Sequence, residues 1–125
     1  MGLGVPRPPV QLVNNGKSIA MLGRDQPALD ITLKMHNYCR EKLPELATID
    51  GYIVKARSPS CGLNDTPVFS PQGTTEKLSS GLFTRSMLQQ YPYLPITNEQ
   101  GLITPQQQQA FLQQVLNYQQ RTIHD

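Results

Sequence analysis

The chain has 125 residues, 38% of them hydrophobic; with Leu, Ile, Val and Phe at about a quarter it can bury one core and is too short for two. Eleven Lys and Arg against nine Asp and Glu leave a net charge of +2, and the basic residues are scattered, which argues against a nucleic-acid footprint or an anionic membrane surface. No apolar run approaches the roughly 18 to 20 residues that cross a bilayer, and Met1 to Val10 lacks the regions of a signal peptide, so a cytoplasmic chain is expected.

The opening Gly2 to Val10 has two glycines and three prolines and reads as an irregular loop feeding an extended segment, as if a preceding element were missing. Val10 to Val13 and Lys17 to Gly23 flank Asn14-Asn15-Gly16, a strong turn signal that predicts a hairpin. A helix is expected from Pro27 or Asp30 to Leu43, where Pro44 ends or kinks it.

Ile49 to Arg57 carries aromatic and β-branched residues in an unbroken run and predicts the clearest strand, buried on both faces. Ser58-Pro59-Ser60-Cys61-Gly62 stops it: Pro59 lacks an amide donor and Gly62 permits positive φ, so a sharp turn follows. Helix, strand and tight loop in this order predict an α/β sheet, in which ligands gather beyond the carboxyl ends of strands.

Asn64 to Ser80 shows no sustained period and reads as a long loop. A helix over Gly81 to Tyr91 is expected, halted by Pro92, then an extended piece over Leu94 to Thr97. Thr104 and Pro105 start a last, glutamine-rich helix, with Leu102, Phe111, Leu112, Val115, Leu116 and Tyr118 as its apolar stripe and Gln106 to Gln109 among its solvated residues.

Two cysteines in a chain without secretory features do not make a disulfide framework. Cys39 falls inside a helical pattern and reads as a small buried hydrophobe. Cys61 lies among hydroxyls and loop amides beyond a strand, a setting in which a thiolate can serve as a metal ligand or nucleophile. There is no Cys-x-x-Cys, no His-x-x-x-His and no glycine-rich phosphate loop. His36 and His124 are far apart, so pairing Cys61 with His36 has no support from spacing, and Arg7, Lys55 and Arg57 suit either an anionic ligand or a solvated surface.

Val5-Pro6-Arg7-Pro8-Pro9, Lys55-Ala56-Arg57-Ser58-Pro59-Ser60-Cys61-Gly62, Gly81-Leu82-Phe83 and Tyr91-Pro92-Tyr93-Leu94-Pro95 resemble, in this order, a bacterial family that includes thiouracil desulfurase. The resemblance implies a Rossmann-like α/β domain, with a mostly parallel sheet and helices on both faces. It also implies a four-iron, four-sulfur cluster on three cysteines, with one iron open to sulfur from a thiocarbonyl such as a thiolated pyrimidine. Cys61 corresponds to the last ligand, with Ser58, Ser60 and Gly62 as substrate-contacting neighbours. The family's two upstream cysteine motifs have no counterpart here. The expectation is therefore a single domain, 1–125, lacking its N-terminal strand and loop, holding no intact cluster, with its exposed surface covered by homo-oligomerisation. Two other readings stand beside it: a small non-catalytic α/β binding or assembly module, and an enzyme using Cys61 alone as nucleophile.

Overall fold

Asn14-Asn15-Gly16 turns the chain as its residues require. Gly16 has φ +94°, and the Asn14 and Asn15 side-chain oxygens accept from the amides of Gly16, Lys17 and Ser18, local bonds that favour a turn over a continued strand. The computed structural model describes residues 9–124, with side chains from 9 to 121. The expectations for residues 1–8, Arg7 included, and for the His124 side chain lie outside the described residues.

β1 (Val10–Asn14) and β2 (Ile19–Gly23) pair antiparallel as the predicted hairpin. The Asp30 carboxylate accepts from the Thr32 amide at 2.9 Å, and bonds from Thr32 hold its acid below the ordinary carboxylate range. Helix α1 (Thr32–Lys42) starts there and buries Met35 and Cys39. Pro44 falls in a 3-10 turn over Leu43–Thr48, the predicted kink.

The segment from Asn64 to Ser80 is not a structureless loop. It forms a second hairpin, β4 (Thr66–Phe69) and β5 (Thr75–Ser79), turning at Gly73 with φ +93°. Its strands hide from a periodicity reading for physical reasons: β5 is almost wholly exposed and so carries polar residues, and β4 contains Pro67. That proline is tolerated because the parallel ladder to β1 begins one residue later, at Leu12↔Val68.

The main sheet therefore runs β2-β1-β4-β5, with two antiparallel joints and one parallel joint. The expected Rossmann-like, mostly parallel sheet flanked on both faces is not what forms. The segment taken as its clearest strand is only β3 (Tyr52–Val54), and it pairs in parallel with β6 (Ile96–Asn98) in a separate two-stranded sheet. Burial on both faces fails as well, since Ile53 is 57% exposed.

Helix α2 (Leu82–Gln90) packs against α1, and Leu12, Met21, Ile31, Met35, Val68 and Met87 form the innermost core. The Tyr91 hydroxyl donates to the Leu43 carbonyl at 2.7 Å, tying the end of α2 to the 3-10 turn.

After a 3-10 turn over Glu99–Leu102, helix α3 (Pro105–His124) begins at a reciprocal cap: Thr104 Oγ1 accepts from the Gln107 amide, and Gln107 Oε1 accepts from the Thr104 amide. Phe111 and Val115 lie against Gly51, but Leu112 and Leu116 remain 49% and 42% exposed, so the predicted apolar stripe is only partly buried. No helix among the described residues is long and apolar enough to cross a membrane.

Candidate functional site at the Cys61 loop

β3 and β6 are parallel, so the segments leaving their carboxyl ends emerge side by side, and short acceptors tie them together. Both Glu99 carboxylate oxygens accept from the Ala56 amide at 3.0 Å, Asp65 Oδ1 accepts from the Arg57 amide at 2.8 Å, and Asp65 Oδ2 accepts from Asn98 at 3.4 Å. Glu99's own amide and that of Ala56 hold its carboxyl below the ordinary value of 4.5. Between these tethers Arg57 takes φ +64° and Asn64 φ +60°.

The sharp turns therefore fall at Arg57 and Asn64, and Gly62, expected to supply the positive φ, does not. What requires glycine at 62 is space: a Cβ there would sit 1.8 Å from Thr66 Oγ1, whose hydroxyl donates to the Ser58 carbonyl at 2.7 Å.

The loop's carbonyls receive the first amides of α2. Gly81 N–H donates to Gly62 O at 2.8 Å, Leu82 to Pro59 O at 3.0 Å and Phe83 to Ser60 O at 2.8 Å, while the Thr84 hydroxyl donates to Cys61 O at 2.8 Å. These are the donors a helix start leaves unpaired, and α2 has no side-chain cap, so Ser58 to Gly62 does the capping. Gly81 permits the approach: a Cβ would lie 2.3 Å from the Ser60 carbonyl carbon.

Of the residues singled out in this loop, Ser58 is spent internally. Its Oγ accepts from the Cys61 amide at 3.1 Å and the Ser60 amide at 3.3 Å. Ser60 is the one whose hydroxyl reaches the sulfur, donating to Cys61 Sγ at 3.5 Å. Cys61 is half-buried, lies against the edge of the core, and its charge raises the Tyr52 hydroxyl pKa after the larger effect of burial. Tyr52 and Tyr38 both contact Phe83, with ring centroids 6.3 and 5.9 Å apart.

Cys39 is 3% exposed, and burial pushes its thiol up, opposed by a hydrogen bond from Ser86. Cys39 lies within the core and Cys61 packs against its edge. His36 is not gathered to this site; it lines a cleft between α1 and α2 with Arg85 and Ser86. Among the described residues no three His, Cys, Asp or Glu side chains converge as metal ligands. The whole sequence holds two cysteines, one of them in the core, whereas iron-sulfur cubanes are typically held by three or four thiolates. The donor set of this chain does not fit a cluster of that kind.

Two grooves flank α3. One, of about 480 Å³, runs under Tyr93, Leu94, Tyr118 and Arg121 and approaches the loop at Leu63; the other, of about 520 Å³, lies between Tyr52, Ile53, Phe111 and Val115. Arg121 sits 3.8 Å over the Tyr93 ring, a cation–π contact.

Sequence reasoning missed Glu99 and Asp65 as residues that build the loop, and marked Gly81 only as a helix start and as part of the Gly81-Leu82-Phe83 motif. Glu99 and Asp65 act through backbone amides and leave no signal in the residue pattern. No curated protein and no solved structure matches this chain. A family model described as 2-thiouracil desulfurase matches residues 1–99, covering the Cys61 loop, α2 and β6 and ending before α3. The chain therefore belongs to the 2-thiouracil desulfurase family.

Proposed function

We propose that this chain binds a small thiocarbonyl compound, of the thiolated-pyrimidine kind, at the Cys61 loop, and that it does so without holding an iron-sulfur cubane on its own thiolates. The family match supports the desulfurase-type reading. The observation that carries the choice of site is the half-buried Cys61 sulfur with the Ser60 hydroxyl at 3.5 Å, on a loop fixed from both sides by Glu99, Asp65 and the start of α2.

In this reading Ser60 supplies the polar contact beside the sulfur, and Ser58 and Gly62 hold the loop that presents it. A site set on such a fixed loop loses little freedom when ligand binds. The test is an anaerobic titration of the full chain with 2-thiouracil and with uracil, followed by ligand absorption and by protection of Cys61 from alkylation. A preference for 2-thiouracil that Cys61→Ser removes is expected. Equal affinity for the two pyrimidines, or a preference unchanged in Cys61→Ser, overturns the proposal.

Self-association belongs to the same proposal. Ile53, Leu112 and Leu116 are exposed on or beside a two-stranded parallel sheet, a sheet type normally covered on both faces. A second copy of the chain covers such a surface without requiring any opposite charge, since α3 has no charged residue from Pro105 to Gln120.

A further inference from the structure

We propose that the cleft between α1 and α2 is a binding site for a phosphate-sized oxyanion, with Arg85 as its cationic anchor. The cleft has a volume of about 150 Å³ and is lined by Ser18, His36, Arg85, Ser86 and Gln89 above an apolar floor that includes Leu82. Arg85 is half-buried, yet the ion pairs among the described residues are Arg24 with Asp25 and Lys42 with Glu45, and neither involves it. A guanidinium partly withdrawn from water normally finds a counter-charge. Among the described residues lining this cleft there is no carboxylate to provide one.

What surrounds Arg85 is a set of polar groups able to donate, Ser18, His36 and Gln89, beside Ser86, whose hydroxyl bonds Cys39. Guanidinium, imidazole, amide and hydroxyl groups together match an anion with several acceptor oxygens, which a guanidinium grips in a two-pronged manner. Arg85 lies in the first turn of α2, so the helix dipole adds to the positive field. The dipole is not the site: the leading amides of α2 are already taken by the carbonyls of Pro59, Ser60 and Gly62, and side chains must hold the anion. The volume sets the size. Pockets for larger organic ligands run to roughly 300 Å³ or more, and this one accepts a tetrahedral oxyanion, free or as the terminal phosphate of a metabolite whose remainder stays outside. The site is separate from the Cys61 loop, so its failure leaves the thiocarbonyl reading untouched.

The test is an amide NMR titration of the full chain with inorganic phosphate, against chloride at matched ionic strength, with a nucleoside monophosphate and its parent nucleoside as further arms. Saturable shifts at Ser18, His36, Arg85 and Gln89 are expected with phosphate alone. Arg85→Gln weakens binding by at least about tenfold and Arg85→Lys by less. The exposed His36→Gln weakens it too and provides a second variant should Arg85→Gln misfold. Binding of the nucleoside monophosphate but not the nucleoside identifies an esterified phosphate as acceptable, and exclusion of both identifies a free oxyanion. Shifts that chloride reproduces, or that persist unchanged in both Arg85→Lys and His36→Gln, overturn the proposal.

Discussion

Glycine at 62 and at 81 serves close approach, and the atoms in the way differ. A methyl group at 62 meets the Thr66 hydroxyl and the Ser58 carbonyl oxygen, while one at 81 meets the Ser60 and Cys61 backbone. Thr66 is buried and its Oγ1 is bonded to the Ser58 carbonyl, so neither obstacle moves aside cheaply, and Gly62→Ala and Gly81→Ala are both expected to destabilise. Denaturant unfolding should place Gly81→Ala at about 2–3 kcal/mol or above, in the range of overpacked cores. A wild-type midpoint for either variant would mean that the loop is not held as tightly as its bonds indicate.

The cysteines separate by burial. Cys61 should react with iodoacetamide in the native state, and Cys39, buried and with its thiol pushed up, only after unfolding. Mass spectrometry of the alkylated chain distinguishes the two, and native labelling of Cys39 at the rate of Cys61 would contradict the packing. Glu99 gives a pH dependence of fixed sign. A carboxyl held below its ordinary 4.5 contributes fully above that value and loses its contribution as pH falls through the lower folded value. Protection of the Ala56 amide in hydrogen exchange should therefore decline at acid pH, and Glu99→Gln should lower it at neutral pH.

Among the elements, those whose residues state their own boundaries were legible in the sequence. Asn14-Asn15-Gly16 fixes the first hairpin, Pro44 and Pro92 bound α1 and α2, and Thr104-Pro105 opens α3. The β4–β5 hairpin was not legible, because a strand exposed on nearly every residue carries no apolar alternation to read. β3 misled for the opposite reason: Tyr52-Ile53-Val54 has the composition of a central strand but sits in a two-stranded sheet with Ile53 exposed. Sheet membership depends on partners far along the chain, and with it went the expected sheet type. At the site, Cys61 and its loop could be found from residue types, but Asp65 and Glu99 work through backbone amides and leave no motif. The cap of α3 has a signal in Thr104-x-x-Gln107: Gln107 is exposed as expected and also caps the helix. Gln107→Ala removes acceptors for the Ile103 and Thr104 amides. It should cost about 1 kcal/mol in α3, read as faster amide exchange in its first turn.

For the whole molecule, among its described residues, Ile53, Tyr93, Ile103, Leu112 and Leu116, each at least 42% exposed, lie on β3, α3 and the segments beside them, while Leu33 on α1 and Leu78 on β5 are exposed elsewhere. Sedimentation at micromolar concentration is expected to show self-association, and Leu112→Gln with Leu116→Gln should shift it toward monomer without lowering helix content. A monomer at all concentrations would leave that surface without the proposed role. Anaerobic reconstitution with iron and sulfide should give far less iron per chain than a cubane contains, since one accessible thiol cannot replace the usual three or four. A full complement with a cubane spectrum would show that other donors complete the set.

The bonds between the Cys61 loop and the start of α2 also bear on the order in which the chain folds. Cys61 and Thr84 are 23 residues apart, and the ring they close contains the whole β4–β5 hairpin. The ladders of β1 with β4 and of β3 with β6 join segments much more distant along the chain, and closure entropy grows with the length enclosed. By closure length the ring is expected to form ahead of both of those ladders, so that the thiol gains its loop before either sheet is complete. Mutations in the ring should slow refolding, whereas those in α3 should mainly hasten unfolding.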